Sequence, residues 1–152
     1  MTHRFDERRF LDLRRQHEDA MQFAVRGREV LAHRPAASFD GFGHFLDSVL
    51  PTEGAEYADL AAVLHISNDE LERLRASLLD PLSVQPGIVA MIGRMVGLNS
   101  DDLERMVIQD HERFSGFAHR VSAREAERNT GSFLLDLRQA YDRLCEDSAA
   151  DI

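Results

Sequence analysis

The stretch from Ala55 to Leu103 constrains the fold most, because helix start and stop signals follow one another along it. Leu60, Ala61, Val63 and Leu64 form a short apolar face that stops at His65. Ser67-Asn68-Asp69-Glu70 then fits the S-x-x-E capping box, with the Ser67 hydroxyl accepting from the Glu70 amide and the Glu70 carboxylate returning to the Ser67 amide. Leu71, Leu74 and Leu78 recur at i, i+3 and i+7, which predicts one inward stripe on a helix over Asn68–Leu78. Pro81 and Pro86 each disfavour helix at the preceding residue and so bracket a loop. Ile88, Ile92, Met95 and Val96 set the next stripe, and Gly97 suits the left-handed position past a helix end. Asn99 or Ser100 can cap the helix that follows, with Asp101, Asp102 and Glu104 at the positive end of its dipole.

Short helix, turn, capped helix, Pro-bounded loop, a helix ending in Val-Gly-Leu and then Asp-Asp-Leu resembles the lambda-repressor/Cro-like (XRE-type) helix-turn-helix domain. The resemblance runs from about Phe39 to Val107. It implies that Asn68–Leu78 is the recognition helix. Tyr57 then takes the place where the family often has a phosphate-touching Gln, and His65 the usual Gly of the turn. Asn68, Asp69, Glu70 and Arg73 take the places that face bases, phosphates or a protein partner.

Charge decides between those partners. The chain has 152 residues and a net charge of −9. Ala36–His119 carries 5 Arg against 14 acids, so that segment alone accounts for −9. Met1–Pro35 is +2, from 8 Arg and 6 acids, and Arg120–Ile152 is −2, from 5 Arg and 7 acids. Duplex DNA is a polyanion whose binders gain affinity by neutralising phosphates. The central segment would approach it against its own field, which favours a protein partner; a dimeric DNA-binding repressor is the alternative. All 18 basic residues are Arg, read as coding bias rather than function.

The flanks are read as helical extensions, giving three segments: 1–35, 36–119 and 120–152. Arg4–His33 predicts a long helix with a heptad-like stripe of Phe10, Leu13, His17, Ala20, Ala24, Gly27 and Leu31, and a bend or break at Gly27. Pro35 ends it. Phe39, Phe42, Phe45, Leu46, Val49 and Leu50 make an aromatic-rich helix. Its Asp-Gly-Phe-Gly start has no preceding strand and no following GK[ST], so it is not a nucleotide loop. Past Leu103 a helix continues through Met106, Val107, Asp110, Phe114 and Phe117. Ser122–Glu125 is a second capping box, an interruption is expected over Asn129–Ser132, and Asp147–Ile152 is expected to fray. Phe133–Glu146 presents Leu134, Leu137, Tyr141 and Leu144 on one face, expected to be the seam of a homodimer that Phe10, Leu13, Ala20 and Leu31 of the N-terminal helix help to build.

Chemistry leaves little trace. His111 and His119 lie roughly 80° apart on a helix and are no metal pair. There is no H-E-x-x-H, no CxxC and no G-x-S-x-G, and the single cysteine, Cys145, lacks a nucleophile motif. No catalytic, cofactor-binding or metal residue is therefore assigned, and no cofactor is expected. With one cysteine and no apolar h-region or membrane span in the first thirty residues, the expected compartment is the cytoplasm, off the membrane. The reading is an all-α, non-catalytic regulator with a degenerate helix-turn-helix core of about five helices. It is flanked by a long N-terminal and an amphipathic C-terminal helix.

Overall fold

A computed structural model of the chain describes residues 7–51, 54–115 and 123–150, with side chains for all of these except 55, 115, 123–129 and 147–150. Arg4–Asp6, Phe117, His119, the Ser122–Glu125 capping box and the end of the tail lie outside those limits. Among the described residues the fold is all-α: α1 (Glu7–His33), α2 (Phe42–Val49), α3 (Ala55–Val63), α4 (Asn68–Arg75), α5 (Pro86–Val96), α6 (Ser100–Ser115) and α7 (Ala123–Ala150), with no strand.

The five short helices are cut out of the chain by their ends. His65 (φ 56°), Ser77 (φ 58°) and Gly97 (φ 83°) all sit in the left-handed region, one past each of α3, α4 and α5. Behind them Ile66 N–H reaches Ala61 O, Leu78 N–H reaches Arg73 O and Leu98 N–H reaches Gly93 O, at 3.0, 2.8 and 3.0 Å. These are three Schellman ends, which satisfy carbonyls that the helix leaves open. Helix starts are equally local. Ser67 accepts from the Glu70 amide, Asn99 Oδ1 accepts from the Asp102 amide at 2.8 Å, and Pro86 opens α5.

These ends also explain one departure from the periodicity. The turn at Ser77 stops α4 at Arg75, so Leu71 and Leu74 are buried but Leu78 is 68% exposed. A stripe read at i+7 fails when the helix closes before i+7.

One core joins all three segments. Phe39, Phe42, Phe45 and Leu46 fill its centre, with Leu60, Leu64, Leu71, Leu74, Ile92 and Leu103 around them, all essentially sealed from solvent. Phe23 of α1 and Leu137 of α7 belong to the same cluster. α1 lies against α2, α3 and α5, and α7 lies chiefly against α5 and then α6.

Both long helices differ in detail from the sequence reading. α1 runs unbroken through Gly27, where a Cβ would meet Val96 Cβ and Cγ1 at 2.5 Å; the glycine lets α1 and α5 touch. Its buried line is Ala20, Phe23 and Gly27, backed by Val30 and Leu31, while Phe10 and Leu13 of the expected stripe are 49% and 55% exposed. α7 is continuous through Asn129–Ser132 and stays helical to Ala150, so neither the interruption nor fraying before that residue is present. Three polar residues and one glycine inside a long helix lower its propensity by about 2–3 kcal/mol in all relative to alanine, too little to break a helix fixed by packing further along.

Candidate functional site

The surface formed by α3, its turn and α4 is built on buried anchors. Leu71 and Leu74 fix the inner side of α4, and Gly43 lets α2 cross it closely, since a Cβ on Gly43 would meet Leu74 O and Ser77 Oγ at 2.5 Å. The Ser67 hydroxyl accepts from Glu70 N–H at 3.1 Å and donates to Glu70 Oε1 at 3.2 Å. The carboxylate thus returns to the Ser67 side chain rather than to its amide, closing the same capping box through a different donor.

Asn68, Asp69 and Arg73 are exposed on this surface and Glu70 is half-buried, with Glu72 exposed beside them. Arg73 is not an open cation. Its Nε and Nη2 donate to Asp69 Oδ2 at 3.1 and 2.8 Å. Arg75, the other arginine of α4, is turned inward at 8% exposure. It donates to Asp47 Oδ1 from Nε and Nη2 at 3.2 and 3.0 Å and to Pro51 O at 2.7 Å, tying α4 to the end of α2. The group assigned a phosphate-touching place, Tyr57, is not on this surface. It is 7% exposed, with the Arg75 guanidinium 5.8 Å from its ring centre. Burial, then neighbouring Glu72, pushes its phenol up to about 12. Its ring is core packing and a seat for Arg75.

α1 is fastened to α3 by a polar seam. Arg15 Nε donates to Asp59 Oδ2 at 2.9 Å, Arg26 pairs with Glu56 at 2.7 Å, and Arg26 Nε donates to Val49 O at 3.1 Å. Hydrogen bonding from Arg15 holds the Asp59 carboxyl below its usual range. Its neighbour Asp19 is raised to about 6, first by sharing a hydrogen bond with Asp59, then by burial and the Asp59 charge. One carboxyl of the pair stays ionised while the other takes up a proton more readily.

Asp110 of α6 is the buried acid of the core, at 2% exposure. Its Oδ2 accepts from Gly43 N–H at 2.8 Å at the start of α2, where a Cβ on Gly41 (φ 152°) would strike Oδ1. Burial raises the Asp110 carboxyl, partly offset by that hydrogen bond. The Asp-Gly-Phe-Gly segment therefore does receive an acidic group, the chain's own Asp110 carboxyl. Nearby, His111 Nδ1 lies 2.8 Å from Asp80 Oδ2, joining α6 to the turn at Pro81–Ser83. The two border a cleft of about 540 Å³ shared with Ser83, Ser132, Phe133 and Asp136.

The expected dimer seam is occupied within the chain. Leu137 is 1% exposed, and Leu134, Tyr141 and Leu144 pack partly buried against the same core. Tyr141 OH donates to Leu98 O at 2.6 Å, and Arg138 pairs with Glu104 at 3.0 Å, so α5 and α6 of the same chain cover this face. Cys145 lies further along α7, half-buried with a free thiol.

No family model matches the chain, and no curated protein or solved structure does. The site rests on its own geometry. Two of its main fasteners, Arg75 and Asp110, were not singled out by sequence reasoning. The signal for Asp110 was its place in the Met106, Val107, Phe114 stripe, where a charge has no solvent to face. Arg75 gave none, because its partners are 28 and 24 residues away.

Proposed function

We propose that the chain is a non-catalytic cytoplasmic regulator of transcription, built on a degenerate lambda-repressor/Cro-like helix-turn-helix and acting mainly through protein contacts. In this reading α3 and α4 are the two helices of the motif, and Asn68, Asp69, Glu70 and Arg73 form the partner-facing surface. The carrying observation is that both arginines of α4 already hold carboxylates or carbonyls of their own chain. Breaking the exposed Arg73–Asp69 pair costs under about 1 kcal/mol. Doing so, however, leaves Asp69, Glu70 and Glu72 facing phosphates. A duplex gives no return for that, whereas a basic protein surface does.

The test uses the full chain as bait, with bound protein and bound duplex both identified. Asp69→Arg combined with Glu70→Gln reverses the character of the surface without touching Leu71 or Leu74. The wild type should retain a protein with a basic surface, and the variant should lose it while gaining non-specific DNA affinity. Duplex DNA retained by the wild type at physiological salt would favour the repressor instead.

A further inference from the structure

We propose that the cleft between the Pro81–Ser83 turn, α6 and the middle of α7 is a binding site for an organic ammonium ion, a protonated amine carried on a small apolar body. Local chemistry builds both walls. On one wall Asp80 caps the turn, its Oδ1 accepting from Leu82 N–H at 3.1 Å while its Oδ2 lies 2.8 Å from His111 Nδ1. On the other, Ser132 and Asp136 stand one helical turn apart on α7, and Phe133 beside them is anchored in the core. At about 540 Å³ the space falls within the roughly 300–1,000 Å³ of small-molecule sites.

The lining accepts more hydrogen bonds than it gives. A carboxylate only accepts, so His111 donates to Asp80 from Nδ1, and in the neutral ring Nε2 remains an acceptor. Ser83 donates its hydroxyl proton to Asp80 O at 2.6 Å and has only lone pairs left. Asp136 is exposed on the cleft wall and forms no ion pair among the described residues. Arg113 of α6 and Arg138 of α7 are held elsewhere, by Asp40 O and by Glu104. Two carboxylates therefore line one concave space, with no arginine among the described residues that line it.

That arrangement selects the charge and the kind of ligand. An anion is repelled, and a neutral molecule leaves acceptors unmatched, whereas a protonated amine brings three donors and the opposite charge. A bare metal ion is the poorer fit. Among the described residues no three His, Cys, Asp or Glu side chains gather closely enough to hold one. Leu82, Pro86 and Phe133 instead offer apolar surface to a carbon body. The cleft uses no residue of the α4 surface, so it stands apart from the function proposed above.

The experiment is titration of the full chain, labelled with ¹⁵N, by amide-correlation NMR at about pH 7.5 and constant ionic strength. Three probes share a shape and differ in charge: benzylammonium, benzyl alcohol and benzoate. Benzylammonium should give saturable shifts centred on residues 80–86, 111 and 132–136, with a Kd on the order of 1 mM, ordinary for a ligand of this size. Benzyl alcohol should bind about tenfold more weakly, and benzoate should not bind. Asp136→Asn, at an exposed position, should weaken benzylammonium about two- to fivefold with the rest of the spectrum unchanged. Asp69→Asn removes the same charge from α4 and should leave binding intact. Benzylammonium shifts that do not saturate by about 10 mM overturn the proposal, as does equal binding of benzyl alcohol or an Asp136→Asn variant that binds like the wild type. Equal weakening by Asp69→Asn also overturns it, since that marks loose attraction of counterions to an acidic chain.

Discussion

Gly27→Ala and Gly131→Ala are one substitution made inside two long helices, and they should change stability in opposite directions. Helix propensity alone favours alanine at both by about 1 kcal/mol. At Gly131 nothing lies within 4 Å of the added Cβ, so α7 should keep most of that gain, about 0.5–1 kcal/mol. At Gly27 the Cβ would stand 2.5 Å from Val96 Cβ and Cγ1 and 3.2 Å from its Cα. Carbon atoms pack at about 3.5–4 Å, so α1 and α5 must part by roughly 1 Å. Val96 is fully buried and β-branched, which leaves it no rotamer to escape into. Overpacking of this kind costs about 1–3 kcal/mol, so Gly27→Ala should end about 1 kcal/mol below the wild type. Urea denaturation followed by far-UV circular dichroism reads both variants, provided the slope m is unchanged. If Gly27→Ala stabilises as much as Gly131→Ala, α1 is not seated on α5 as described.

Leu137→Ala should cost about 2–4 kcal/mol in the same assay, while Leu135→Ala stays within about 0.5 kcal/mol. Because the Leu137 face is closed within the chain, the loss should not depend on protein concentration. The Asp19–Asp59 pair predicts a pH response with a fixed sign. Asp19 ionises near 6 in the folded chain against 3.8 ordinarily, so its contribution is present at low pH and lost as pH rises through about 6. Asp59 is lowered, so its contribution is present above its ordinary 3.8 and lost as pH falls through its depressed value. The α1–α3 seam is therefore firmest near pH 4 and weakens as pH rises from there through about 6. Between pH 5 and 7.5 the wild type should lose on the order of 1 kcal/mol more than Asp19→Asn, the shift being discounted for solvent screening. Parallel pH profiles of the two proteins would remove Asp19 from the account.

The helices of the central segment were legible because their boundaries are local chemistry. Ser67, Asn99, Pro86 and Gly97 act on neighbours within a few residues, and each does in the structure what its type implies. The left-handed positions of His65 and Ser77 were harder to read, since neither is glycine. The end of an apolar face marks His65, but nothing local marks Ser77, so the stripe read from periodicity runs on to Leu78. The fate of the amphipathic faces was not legible. The stripe of α7 was correctly apolar, but periodicity cannot say whether a face closes on its own chain or on another. In α1 the heptad reading followed Ala24 and Gly27 and overlooked Phe23, whose bulk decides which side turns inward. At the candidate site, Asn68, Asp69 and Arg73 take outward places only through the resemblance, and the structure has all three exposed. Tyr57 went the other way, because an aromatic ring beside Leu60 and Leu64 is worth more buried than presented to a ligand.

The most direct test of the central claim is the salt dependence of duplex DNA binding by the full chain, measured by fluorescence anisotropy on a random-sequence duplex. Each phosphate neutralised contributes about −0.9 to the slope of log K against log salt. An α4 surface whose arginines are already engaged and whose remaining charges are acidic predicts weak binding at low salt, a slope no steeper than about −1, and none detectable at physiological salt. Tight binding at physiological salt with a slope of several units would contradict it.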